Sequence, residues 1–514
     1  MISKFIKNNL PKILTVILIP FFFVGLFKNI DYIKFPNSDF FQYINDGHKY
    51  LNLKLPDSIH PPPFAPIIIC LVSKLFSNVE YPELFSAHLI NIICATLSLL
   101  NIFFIFSKKK PWFGLLLILL IATNKLYITD SLNITNEVIF TFFLTLVLLL
   151  YSKKHYLSSY LLSGLSFFVR YEAIIVVAAI FIIDFFKKNK KIKFFHVFIA
   201  IIPIIFWLII LNSHSLGNSI FQNAYIDEVV NGVNNIPNFQ PFKSLLDIIF
   251  SNPIEYLLSV VFFPNSQFHF ELLTANSRLI FSSIILIICF KNVFFKKNTK
   301  IIQIIYLIIP SYLVFTAIFP NFNIRYLFPM FWIIYFVLIN RKSTLVTIII
   351  FFILLTINLI GLSQYSIHDG AFEKLEYRLV SNWVNQQDLK NTTILFMFDP
   401  GAMIYFNKNK SVMIDISSYE DFSNIFTKCN NDILCVINND DYYDNKEIFV
   451  VTQSSTTIDQ KNVIDKYTNE TLHHISAFHD NKFINNPKFK SIKFLSINKY
   501  TWAKIYKYIP SKTP

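Results

Sequence analysis

Residues 84–110 read LFSAHLINIICATLSLLNIFFIFSKKK. A hydrocarbon core about 30 Å thick is crossed by roughly 20 apolar residues in a helix, and this run is long enough. The three lysines that end it mark the side on which it stops, because cationic loops are retained on the cytoplasmic face. Ten further stretches share the pattern, near residues 12–30, 111–128, 133–151, 156–170, 172–187, 194–212, 279–291, 301–319, 325–340 and 343–362. Together they predict a mainly α, polytopic transmembrane bundle of about eleven spans.

Composition agrees with that reading. Of 514 residues, 54% are hydrophobic and only 15% charged, with a mean hydropathy of +0.48, whereas an ordinary soluble domain carries about 25% charge. The formal charge of +14 raises nucleic acid as a partner, but the lysines sit in span-ending clusters and so point to membrane topology instead. Five cysteines with no CxxC pair exclude a disulfide framework and a structural zinc site. Cys429 and Cys435 are close enough in sequence to cross-link in an oxidising compartment, although two free thiols are the simpler reading.

The clusters Lys4/Lys7/Lys12, Lys108–Lys110, Lys153-Lys154, Lys187–Lys191, Lys296/Lys297/Lys300 and Arg341-Lys342 fall on every second connection. They are expected to face the cytoplasm. The first span, with lysines before an apolar run and no small-x-small cleavage site, reads as an uncleaved anchor. The other face then receives the loop 31–83, a turn at 129–132, the Arg170-Tyr171-Glu172 junction, the loop 213–278, the turn 320–324 and everything after 362. Residues 1–362 form the expected membrane domain. From 363 to 514 charge rises and apolar runs shorten to strand length at Thr393–Phe398, Ile433–Asn438 and Ile448–Thr452, after a helical stretch Glu373–Gln386. An extracytoplasmic α/β domain is expected there, with the basic tail from Lys488 onward as a solvated face near anionic lipid.

Ionisable groups beside apolar helices cost about 2.5–3.5 kcal/mol each at mid-span without a partner, so they mark sites. On the outer face these are Asp39, His60, Asp130, Glu137, Arg170, Glu172, Arg278 and Arg325. Structural ion pairs at helix ends are the competing explanation for any one of them. The first loop is the most informative. Ser38 caps a helix that carries Asp39 in its first turn, where the helix dipole favours a carboxylate, and Tyr43 lies four residues on, on the same face. His60-Pro61-Pro62-Pro63-Phe64 is a stiff segment delivering an imidazole to an apolar helix at 64–76.

Asp39-x-x-x-Tyr43, His60-Pro61-Pro62-Pro63-Phe64, Asn136-Glu137-Val138-Ile139-Phe140, Gly164–Arg170 and Asn323-Ile324-Arg325-Tyr326-Leu327-Phe328-Pro329, in that order, resemble the motifs of polytopic glycosyltransferases of the GT-C fold. The resemblance extends over roughly residues 10–362. It is greatest to bacterial members similar to protein mannosyltransferases and to the lipid A aminoarabinose transferase. It implies transfer of a sugar from a polyprenyl-phosphate carrier to a hydroxyl or amine at the outer leaflet, with inversion. It assigns Asp39 as the catalytic base. Tyr43, His60, Glu137, Arg170, Glu172 and Arg325 are then the substrate-binding candidates, with His60, Arg170 and Arg325 suited to the phosphate. An imidazole titrating near ~6.5 would make phosphate binding by His60 weaken at alkaline pH. Gln42 and His60 stand where the aminoarabinose transferases carry basic residues, so that particular sugar does not carry over.

Cofactor need stays open: Asp227-Glu228, with Asp130 and Glu137, have the donor chemistry to hold a divalent cation, while His473-His474 and His479-Asp480 fit no zinc spacing. Two other functions compete with transfer. A flippase for a lipid-linked sugar would place its charges at mid-span between related halves, and no internal repeat is visible. A non-catalytic sensor or scaffold would use the outer domain to bind a ligand.

Overall fold

The computed structural model describes residues 9–29, 39–56, 62–79, 81–108, 110–186, 194–213, 289, 291–295, 299–317, 328–340, 343–363, 375–387, 393–396, 412–413, 447–453, 483, 486–498 and 501–509. The chain is a mainly helical, multi-pass membrane protein with a small sheet in its C-terminal region. It divides into two compact units, Met1–Tyr365 and Ser366–Pro514.

In the first unit, α1 (Leu10–Lys28) is followed by α2 (Asp39–Leu51), α3 (Phe64–Ser73) and α4 (Pro82–Ser107). Then come α5 (Pro111–Ala122), α6 (Lys125–Leu132), α7 (Asn136–Ser152), α8 (Tyr156–Leu165), α9 (Ala173–Phe186), α10 (Phe194–Ser213), α11 (Lys300–Ala317), α12 (Phe331–Ile339) and α13 (Thr344–Ser363). By length and composition α1, α4 and α13 each suffice to cross a bilayer, and the other apolar helices are shorter. Without water, backbone polar groups must be satisfied within the span, which is why these segments are helices. Large apolar side chains on α1 and α13, among them Val16, Phe21, Leu345 and Phe352, are exposed. They form a lipid-facing surface, whereas α4 is enclosed by its neighbours.

The expected span over 111–128 with a turn at 129–132 needs correction. The helix breaks after Ala122, resumes at Lys125 bent by 67°, and continues to Leu132, so the supposed turn is helical. Asn124 causes the restart: its extended backbone and its side chain, which accepts from Tyr127 N (3.0 Å), cap α6. Distant helices satisfy the groups freed by the break. Asn124 Nδ2 donates to Tyr335 Oη (2.8 Å), which donates to Asn358 Oδ1 (2.9 Å), and Asn358 Nδ2 donates to Leu120 O (2.8 Å).

Helix α4 positions the start of α7. His88 Nδ1–H donates to Leu132 O (2.7 Å), Asn91 Nδ2 to Asn133 O (2.5 Å), and Ala95 O accepts from Tyr127 Oη (2.8 Å). Positions 88, 91 and 95 share one face of α4. That face holds the 132–135 connection, and so the first turn of α7. Two close approaches depend on glycine. A Cβ on Gly47 would strike the Pro66 carbonyl, and one on Gly164 the Ala200 backbone, so α2 lies directly on α3 and α8 on α10.

At the opposite ends of α7 and α9 a buried carboxylate joins four helices. Asp184, 4% exposed, accepts from Tyr151 Oη and from Tyr160 Oη (3.1 Å), with Lys300 Nζ 3.5 Å away. Asp184→Ala is expected to cost about 1–3 kcal/mol for each phenol left buried without an acceptor. Thermal unfolding in detergent checks this, with Asp184→Asn, which keeps an acceptor, losing less.

The second unit is α/β. Helix α14 (Leu375–Gln386) packs on a sheet of β1 (Thr393–Phe396), β2 (Val412–Met413), β3 (Glu447–Gln453), β4 (Phe489–Asn498) and β5 (Thr501–Tyr508). The strand order is β2-β1-β3-β5-β4, with β1 parallel to β2 and β3 and the β4–β5 hairpin antiparallel. Trp383 meets Phe449 edge to face (5.7 Å). The expected solvated basic tail holds for β4, where residues 490–494 are exposed, and needs correction for β5, where Ala503, Ile505 and Tyr506 lie in the core of the sheet. The expected strand at 433–438 and most of the expected span at 279–291 lie outside the described residues, as do Cys429 and Cys435.

Candidate active site

Glu137 sits in the first turn of α7, where the helix dipole stabilises its charge. The chain leaves α8 through a 3-10 turn, Ser166–Phe168, and Arg170 follows two residues later, before α9 begins. The two places meet. Arg170 Nη1 lies 2.5 Å from Glu137 Oε1, Nε donates to Glu172 Oε1 (3.0 Å), and Nη2 contacts the same oxygen. Glu137 is 2% and Glu172 8% exposed. A guanidinium fork held between two buried carboxylates is a charge-assisted arrangement of fixed geometry. It also keeps three ionised groups in a region where charge requires partners.

Helix α2 lies at the same end of the bundle. His48 Nε2 is 3.9 Å from Glu83 in the first turn of α4, and Cys70 Sγ–H points at Ile44 O (3.7 Å). At its C-terminal end the Tyr50 ring is 6.3 Å from that of Trp207 on α10, and the Phe168 ring is 5.7 Å from Trp207. Asp46 and Tyr171 both act electrostatically on Tyr50. Helix α2 therefore reaches the residue next to Arg170.

Burial pushes the Tyr50 phenol above its ordinary range, and the Asp46 carboxylate and the Tyr171 phenol add to the rise. Burial also raises Tyr171, the Trp207 indole opposes that rise, and Glu172 adds to it by less. Both phenols are therefore neutral hydrogen-bonding groups at physiological pH.

Of the residues expected from sequence, the structure joins Glu137, Arg170 and Glu172, and it buries Tyr43 on α2. Asp39 is the first residue of α2. Its side chain, and His60, Arg278, Arg325, Asp227-Glu228 and the histidines at 473, 474 and 479, lie outside the described residues. Asp130 lies on α6. Among the described residues no three His, Cys, Asp or Glu side chains gather as a metal-ion site. Sequence reasoning missed Asp46, Tyr50, Tyr171 and Trp207. The signal was present in part, since positions 39, 43, 46 and 50 fall on one helix face.

The family model described as dolichyl-phosphate-mannose-protein mannosyltransferase matches residues 60–213. The crystal structure of ArnT from Cupriavidus metallidurans bound to undecaprenyl phosphate superposes with a TM-score of 0.54 at 8% identity, over 97% of this chain and 98% of that one. The apo ArnT structure from the same organism scores 0.38 at 8% identity, over 94% and 97%. No curated protein matches the sequence. The near full-length likeness shows the GT-C fold.

Proposed function

We propose that this protein is a glycosyltransferase that moves a sugar from a polyprenyl-phosphate carrier to an acceptor hydroxyl or amine at the outer face of a bacterial inner membrane. One observation carries the reading: the segment matched by the mannosyltransferase family, 60–213, contains all three members of the buried Glu137–Arg170–Glu172 cluster. The GT-C fold over the rest of the chain supports it. Fold alone would not, because function resides in sites and not in architectures.

In this reading Asp39 accepts the proton of the acceptor group as that group attacks C1 of the sugar. The C1–O bond to phosphate breaks, and the lipid phosphate leaves with the electron pair, already stabilised as an anion. Attack opposite to the leaving group inverts C1. A base in the first turn of a helix suits this role, since the dipole keeps it ionised and ready to accept. Charge on the departing phosphate requires fixed donors, supplied by Arg325, by protonated His60 and by Arg170, whose guanidinium is held in place by Glu137 and Glu172. Tyr43, four residues from Asp39, orients the acceptor. Selection of the acceptor is the role left to the second unit.

The test uses the full chain in nanodiscs with radiolabelled polyprenyl-phosphate mannose and a bacterial membrane-glycan fraction. Label on acceptor or water is the expected result. In sealed vesicles, label that crosses the bilayer on an intact carrier would instead identify a flippase.

A further inference from the structure

On α2, Asp39, Tyr43, Asp46 and Tyr50 are spaced i, i+4, i+7 and i+11, one face of a helix with 3.6 residues per turn. The far end of that face enters an aromatic cluster built from three other places: Tyr171 in the Arg170 junction, Phe167 with its ring 5.1 Å from Tyr171, and Trp207 on α10. Three polar atoms in the cluster are shut off from solvent and have no hydrogen-bond partner among the described residues. They are Tyr50 Oη, Tyr171 Oη and Trp207 Nε1. Trp207 is 4% exposed. The Tyr171 hydroxyl and the Trp207 indole face each other without reaching hydrogen-bond geometry.

Leaving such a group unpaired costs about 1–3 kcal/mol, and native proteins leave few. Simple helix packing does not require three of them, from three separate elements, in one place. Their chemistry limits what would complete them. Two neutral phenols donate or accept, the indole N–H only donates, and the Asp46 carboxylate nearby accepts. A phosphate would face the carboxylates of Asp46 and Glu172. An ammonium group would leave the indole N–H unpaired, and a lipid tail would leave all three atoms unpaired. A neutral ring with hydroxyls around its edge and C–H groups on its face satisfies the polar atoms and lies against aromatic rings.

We infer that Asp46, Tyr50, Tyr171 and Trp207 form a glycosyl subsite, taking a neutral sugar ring through its hydroxyls. The inference rests on the transferase reading and specifies where that enzyme distinguishes sugars. The ring belongs either to the donor's transferred sugar or to a sugar unit of the acceptor. Tyr50 and Tyr171 are positioned to grip it by single hydrogen bonds, so Tyr→Phe removes the grip and keeps the ring packing.

The experiment measures binding to the full-length wild type and to Tyr50→Phe/Tyr171→Phe in nanodiscs. One arm compares bare polyprenyl phosphate with polyprenyl-phosphate mannose and polyprenyl-phosphate arabinose. The other uses methyl mannoside and methyl arabinoside with no lipid, followed by saturation-transfer NMR. The double variant is expected to lose roughly tenfold of the sugar-dependent affinity, to bind bare lipid as wild type does, and to unfold at the same or a higher temperature because buried unpaired hydroxyls are gone. Loss in the lipid arm assigns the donor sugar, and loss in the free-glycoside arm alone assigns the acceptor. Sugar-dependent binding that is equal in wild type and variant, or absent from wild type in both arms, overturns the subsite. If wild type ignores both bare and glycosylated lipid, the donor reading fails separately, and the glycoside arm still decides the subsite.

Discussion

Asp39→Asn is expected to lower transfer by roughly 10²–10⁴-fold, the contribution of a positioned general base, while the protein folds and binds its lipid donor as before. The substitution isolates the proton acceptor. Asparagine is almost the same size as aspartate and is tolerated at helix starts. The loss of a first-turn charge costs only about 0.3–1 kcal/mol. Initial rates with saturating polyprenyl-phosphate sugar, alongside donor binding to the same preparation, separate the two effects. A rate within a few-fold of wild type would remove Asp39 from the chemistry. A parallel loss of donor binding would reassign it to substrate recognition.

Arg170→Met should have the largest effect on stability. It leaves Glu137 and Glu172 as buried carboxylates deprived of the guanidinium between them, and removing one partner of a buried charge cluster costs about 3–5 kcal/mol. The variant should therefore accumulate poorly and unfold at a markedly lower temperature in detergent. Arg170→Met/Glu137→Gln/Glu172→Gln removes the stranded charges and should recover most of that stability. Donor affinity is expected to stay at least tenfold weaker, because a guanidinium donor to the leaving phosphate is still missing. If the triple variant recovers both stability and turnover, Arg170 is a structural ion-pair partner and the phosphate is held elsewhere. Arg170→Lys should fall between, since an ammonium cannot span two carboxylates as a planar fork does.

The helical skeleton was largely legible because it is written in local terms. Apolar runs between lysine clusters gave boundaries close to those of α4, α7, α9, α10 and α13, and a carboxylate after Ser38 marked the start of α2. Two errors have separate causes. The break at Asn124 stays hidden because its partners, Tyr335 and Asn358, are 211 residues and more away in sequence. An asparagine inside an apolar run looks like a minor interruption until something is seen to satisfy it. The β4–β5 hairpin was concealed by its lysines and by irregularities at Ser491/Lys493 and Ser496/Asn498, which disrupt the two-residue alternation that identifies a half-buried strand.

The sequence by itself determined that this chain lives in a bilayer, where helices such as α4, α7, α9, α10 and α13 begin and end, and which ionisable residues lie where charge is expensive. Those are consequences of hydrophobic run length and of the cost of moving charge into hydrocarbon, both of which act residue by residue. Only the tertiary structure decided that Arg170 is shared by Glu137 and Glu172, and that Tyr50 meets Tyr171 and Trp207. Pairing is a property of distance in space. Helices remote in the chain become neighbours when side chains such as His88, Asn91 and Asn358 satisfy backbone groups that no water in the membrane interior can reach.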